Sequence, residues 1–264
     1  AGAARTGGEG LVEAFEKAKP LGWRAKIGVI SPTENTVTEP EFNAMKPPGV
    51  TVHFTRMPIH FHPEEDDFKS LMDDLEIRLL ELKGCAVDTV AYNCTVGSMA
   101  CPADMLNKQL RDVSGASAVS TAGSILAALK SLNVSNIAMA TPYSAATNEH
   151  EKEYLEARGI NIVAMVGMDF TETGIALGRK FGAVSPGEIY QHALGVDHPE
   201  AEAILISCAN FASAGIVAEL EAKIKKPVIT SNIVTFWAGL QAANITDPIK
   251  GFGCLLSGTR PDLA

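Results

Sequence analysis

The chain is poor in several features that would have set its class at once. It has no apolar run long enough to span a bilayer, and its N-terminal AGAARTGGEG has no apolar centre, so neither a membrane segment nor a signal peptide is expected there. Positive charge is scarce: 22 Lys and Arg face 31 Asp and Glu, a formal net charge of -9. That balance argues against nucleic acid or an anionic membrane as the main partner, so an anionic ligand must be held by local geometry. Metal-ligand spacing is missing too. There is no C-x-x-C and no H-E-x-x-H, and His60-Phe61-His62 is an isolated pair. The glycines of TGIALGRKFG lack the Lys-Ser/Thr of a phosphate loop and read as part of a packed helix. The five cysteines, Cys85, Cys94, Cys101, Cys208 and Cys254, are too few and too scattered for a disulfide scaffold, so reduced thiols in a cytoplasmic protein are expected.

What is present is core-forming material: 264 residues, 46% of them hydrophobic, enough for one large domain or two ordinary lobes. Residues 1–23 read as a loose tail with a short helix ending near Pro20. Beyond them RAKIGVI, GVTVHFTRMPI, AVDTVAYN, SNIAMA, INIVAMVGM, EAEAILIS and PVITSN read as strands. Between these lie helical stretches: EPEFNAMKP, EEDDFKSLMDDLEIRLLELKGC, SAVSTAGSILAALKSLN, ATNEHEKEYLEARG, VSPGEIYQHAL, GIVAELEAKIKK and IVTFWAGLQAAN. Ser185, Pro186 and Glu188 have the spacing of a capping box with proline at the first helical position. Near-continuous apolar strands alternating with helices predict α/β architecture with parallel sheets buried on both faces.

The pattern occurs twice. KIGVISPT corresponds to NIAMATPY, and VDTVAYNCTVGS to AEAILISCANFAS, each of the second pair with an acidic residue six positions before a cysteine. Two pseudo-symmetric lobes are expected: residues 24–118, completed by a C-terminal helix 233–264, and residues 119–232. Ligands of open parallel sheets bind beyond the carboxyl ends of the strands, so Cys94 and Cys208 should meet in the cleft between the lobes.

A thiol at a strand end, with a helix starting beyond it, is expected to have a lowered pKa. Two thiols on opposite faces of a substrate can add to carbon or remove a proton on one side and return a proton from the other, with no cofactor. The small and hydroxyl residues of TVGS and ANFAS suit the holding of a carboxylate. Cys85, Cys101 and Cys254 keep the usual reading of a free cysteine as a small hydrophobe. Met99, Met165 and Met168 are expected in the core or along the cleft.

At these residues the chain resembles the aspartate/glutamate racemase superfamily, in particular its maleate isomerase and arylmalonate decarboxylase branch, from KIGVISPTENT through TSNIVTFWAGL. The resemblance implies paired α/β lobes with a cofactor-independent site between them and Cys94 and Cys208 as catalytic residues. The decarboxylase keeps only the second cysteine, so the presence of both favours isomerase or racemase chemistry. The resemblance also implies substrate contacts from Asn35, from Tyr143 to a carboxylate, from Thr95, Val96 and Gly97 in the first lobe, and from Ala209 and Asn210 in the second. Two departures stand out: Ala209 replaces a threonine usual in isomerases, and DFTETG lacks an asparagine they carry there. The expected activity is maleate-type cis–trans isomerisation of a small carboxylate or dicarboxylate by a homo-oligomer. Racemisation of an amino acid or hydantoin, a role in ectoine catabolism, and arylmalonate-type decarboxylation are the alternatives within the superfamily. A non-catalytic two-lobed binding protein is the alternative outside it.

Overall fold

A computed structural model describes residues 18–60 and 63–259, so the short helix expected before Pro20 and the His62 side chain lie outside the described residues. Two four-stranded sheets form the molecule, and every strand pair in both is parallel. The first has the order β2-β1-β3-β4, with β1 Ala25–Pro32, β2 Val50–Met57, β3 Thr89–Tyr92 and β4 Ser117–Ser120. The second repeats it as β6-β5-β7-β8, with β5 Asn136–Thr141, β6 Asn161–Gly167, β7 Ala203–Ile206 and β8 Val228–Thr230. The duplication read from the sequence is therefore a duplication of topology: β1 and β5 hold the same central place, as do β3 and β7.

Strand alternation divides the first sheet between two cores. Ala25, Ile27 and Val29 of β1 face a large core that runs on into the second sheet, whereas Ile30 faces a smaller one. Helix α1 (Thr38–Met45) puts Phe42 and Met45 into the large core. The smaller core is closed by α2 (Lys69–Gly84), whose Leu71, Leu75, Leu79 and Leu82 form one stripe, each buried leucine contributing about 1.5–3 kcal/mol. The acidic PEED segment is not the first turn of this helix. It forms a separate 3-10 turn, and left-handed Asp67 and Phe68 (φ 53° and 65°) break the chain before Lys69.

After β3 come α3 (Thr95–Ala100) and α4 (Ala103–Ser114), the latter adding Leu106 and Leu110 to the smaller core. SAVSTAGSILAALKSLN, read as one helix, is a strand followed by a helix. β4 pairs with β3, then the Ser120 hydroxyl accepts the Gly123 N–H and starts α5 (Thr121–Leu132). β4 therefore runs across the boundary expected after residue 118. The second lobe continues with α6 (Ala145–Glu156), α7 (Gly174–Gly182) and α8 (Pro186–Gly195), where the capping box of Ser185 and Glu188 is formed. Then come α9 (Val217–Ile224), α10 (Ser231–Ala242) and α11 (Cys254–Ser257). From the end of β8, α10 crosses to pack on α5, β3 and β4. Among the described residues no helix is long and apolar enough to cross a membrane.

Candidate active site

The two sheets direct strand ends at one cavity of about 290 Å³, a size suited to a small organic ligand. β3 ends at Tyr92 and Cys94 follows two residues later; β7 ends at Ile206 and Cys208 stands at the same offset. Both thiols line the cavity. The Cys94 residue keeps some exposure to it, while Cys208 is buried. The remaining three cysteines take no part in its wall.

Cys94 stands at the N-cap position of α3, and the backbone N–H of Gly97 beside it works to lower its pKa. In the second lobe Cys208 Sγ accepts the Asn210 N–H at 3.4 Å, its N–H donates to Ser231 Oγ at 3.1 Å, and the nearby Tyr143 hydroxyl works to lower the thiol's pKa. These contacts favour the thiolates, yet burial outweighs them. Cys94 is pushed up to about 11, first by burial and then by the nearby Glu34 charge, and Cys208 to about 12, by burial and by the charges of Cys94 and Glu151. The lowered pKa expected from sequence is thus reversed. For Cys208 one premise also fails, because no helix begins there: the chain turns through Ala209 and Asn210 and α9 starts only at Val217. Tyr143, buried near both thiols and Glu151, is held well above the ordinary phenol value, so its hydroxyl remains a donor.

Every residue expected at the site lines the cavity, but several polar groups are occupied elsewhere. Asn35 Oδ1 accepts the Val37 and Thr38 N–H groups, both at 2.9 Å, and its Nδ2 donates to Thr38 Oγ1 and to the Ala209 carbonyl. Asn210 Oδ1 accepts the Thr36 N–H at 3.0 Å and its Nδ2 donates to the Gly178 carbonyl at 2.7 Å. Thr95 Oγ1 donates to Ser231 Oγ at 2.9 Å. These side chains tie the lobes together and fix the cavity wall; Val96, Gly97 and Ala209 add apolar atoms and backbone to it. Met99 lies in the core, and Met165 and Met168 pack against it.

Sequence reading passed over the network beneath the wall. Asn93, fully buried, donates from Nδ2 to Thr38 Oγ1 (2.8 Å) and Asn232 Oδ1 (3.0 Å), and Asn232 donates to the Ala209 carbonyl (3.0 Å) and Glu41. Its one visible signal was position, since Asn93 and Asn232 both follow strand ends. Also unread was Glu34, whose carboxylate shares the cavity, and the apolar wall supplied by Ile59, Leu71, Phe170, Leu177 and Phe181. His60 reaches the cavity edge with its ring nitrogens directed to Asp74 and Ser70.

Two parallel α/β sheets of matching topology, each delivering a cysteine from the same strand to one shared cavity, define a two-lobed paired-thiol fold. Residues 28–256 match the family model described as arylmalonate decarboxylase, and the chain belongs to the arylmalonate decarboxylase and maleate isomerase family of the aspartate/glutamate racemase superfamily. Among its relatives is a maleate isomerase of Pseudomonas putida, 26% identical over 249 residues that cover 88% of this chain and 97% of that one. A maleate isomerase of Geobacillus stearothermophilus is 23% identical over 250 residues, with 88% and 97% covered. Among solved structures, a cysteine-to-alanine variant of the maleate isomerase Iso from Pseudomonas putida S16 with maleate matches at a TM-score of 0.80 and 24% identity, over 90% of this chain and 99% of the other. A cysteine-to-serine variant of the Nocardia farcinica maleate cis–trans isomerase, with a covalently bound succinylcysteine intermediate, matches at 0.79 and 23%, over 89% and 98%. Arylmalonate decarboxylase itself matches at 0.75 and 19%, over 89% and 100%.

Proposed function

We infer that the chain is a cofactor-independent cis–trans isomerase of a small cis-unsaturated carboxylate of the maleate kind. The observation that carries this reading is the placement of Cys94 and Cys208 at equivalent strand ends on one cavity. Two thiols suit an addition and elimination sequence, whereas one would serve a decarboxylase.

In this mechanism Cys94, after losing its proton to water, adds to an alkene carbon beside a carboxylate. The electron pair of the double bond moves to the neighbouring carbon as an enolate. Cys208, still protonated, gives that carbon its proton, and the former double bond is a single bond about which the ends rotate. Cys208 as thiolate then takes back the proton, the carbon–sulfur bond breaks, and the trans alkene leaves with Cys94 restored as thiolate. Tyr143 donates to Cys208 or to a substrate carboxylate that displaces it. The succinylcysteine of the Nocardia farcinica relative has the saturated composition that the middle of this sequence requires.

The test is incubation with maleate while fumarate is followed by proton NMR. Native protein should turn maleate over, and Cys94→Ser and Cys208→Ser should each lose at least about a thousandfold in kcat, as removal of a covalent or proton-transferring group does. Undiminished turnover in Cys94→Ser would end the reading. Racemisation draws on the same two-sided placement, and deuterium uptake from D2O at the α-carbon of an amino acid would identify it.

A further inference from the structure

Glu34 stands at the loop after β1 with its carboxylate on the wall of the thiol cavity, close enough to Cys94 to disfavour the thiolate. Its side chain lies over Gly178 of α7, where an added Cβ would meet Glu34 Cγ at 2.3 Å and Oε1 at 2.6 Å. No hydrogen bond or ion pair reaches that carboxylate among the described residues, although the backbone carbonyl of the same residue is bonded to Asn210. Among the described residues the wall contains no lysine and no arginine, and apolar side chains make up much of the rest. An unpaired anion in such surroundings repels a second anion and attracts an N–H donor more strongly than it would in water.

We propose that Glu34 sets the substrate class: a cis-unsaturated monocarboxylate whose far end carries an amide or amine N–H donor, received by the Glu34 carboxylate, in preference to a dicarboxylate. The proposal rests on the isomerase reading for the chemistry but concerns recognition alone. The alkene carbons of the substrate lie against the thiols and its single carboxylate against the Tyr143 hydroxyl. The other end reaches Glu34, where a second carboxylate would place two like charges side by side in a wall that, among the described residues, offers no lysine or arginine.

Maleate and its monoamide, maleamate, are nearly the same shape and differ at one end by charge and N–H donation, so they are the probes. Dissociation constants are measured by calorimetry for native protein and for Glu34→Gln, and turnover of each compound is followed by NMR. Native protein should bind maleamate roughly tenfold or more tightly than maleate, and Glu34→Gln should erase or invert that preference. Glu34→Ala repeats the comparison with the charge removed and no amide introduced, and should also erase it. Equal affinities in native protein, no binding of either compound at millimolar concentration, or a preference that survives both substitutions would overturn the proposal. The two readings fail separately. A charge preference without turnover of either compound sinks the isomerase reading and leaves the recognition standing, whereas turnover of both with no preference does the reverse.

Discussion

At the scale of single residues, the thiols decide what the molecule can do, and their surroundings decide when. Burial raises Cys94 to about 11, so at neutral pH its sulfur is held as the thiol. The ionised fraction grows about tenfold with each pH unit below that value. Alkylation of Cys94 by iodoacetamide, followed by peptide mass mapping, should therefore accelerate from pH 7 to pH 10 without levelling off; a plateau near neutral pH would mean that the thiolate is already formed. Cysteine spacing was legible because both thiols end matching apolar strands. The direction of their pKa was not, because it depends on walls contributed by Tyr143, α7 and the opposite lobe, far away in sequence.

At the scale of elements, short connections after strands do the positioning. Gly97 lies within α3, where alanine would ordinarily favour the helix by about 1 kcal/mol. Here an added Cβ would meet Tyr92 Oη at 2.7 Å and Cys94 Sγ at 3.0 Å. Gly97→Ala should leave the thermal midpoint nearly unchanged while maleate turnover falls about tenfold or more through displacement of the sulfur, and unaltered kinetics would show that the sulfur tolerates the shift. Asn35 joins the start of α1 to the carbonyl of Ala209 in the other lobe. Its replacement by alanine leaves buried donors and an acceptor with fewer partners, and should cost about 2–4 kcal/mol by denaturant titration. Alternating strands and helices were readable from apolar period alone. The break at Asp67 and Phe68 and the switch from strand to helix at Ser120 were not, because a strand of four residues beside a helix of similar composition offers too little period to separate them. Asn35, Asn93 and Asn232 look like ordinary turn formers until the second lobe buries them.

At the scale of the whole molecule, two lobes close over carboxyl groups as well as over a cavity. Glu41 joins α1 to the Ala214 N–H and Asn232, and Glu151 accepts the Ser207 hydroxyl at 2.5 Å directly before Cys208 while its Oε2 has no partner. Burial raises both carboxyls to about 7. A carboxyl whose folded value lies above its unfolded value near 4.3 binds more protons when folded, so its contribution to stability declines as pH rises between the two values. Native protein should therefore lose stability between pH 5 and 8, and Glu151→Gln, which cannot ionise, should lose about 1–3 kcal/mol less over the same range in urea titrations. Parallel curves for the two proteins would show that Glu151 ionises alike in the folded and unfolded chain.

The pairing of Cys94 and Cys208 around one small molecule is measured most directly with a short dihaloacetone at about pH 9, where thiolate is more abundant, followed by peptide mass mapping. One reagent molecule per chain should bridge Cys94 to Cys208, and maleate or maleamate in the cavity should slow the bridging. Separate single modifications of the two cysteines, with no bridged peptide and no protection by either ligand, would contradict a shared site.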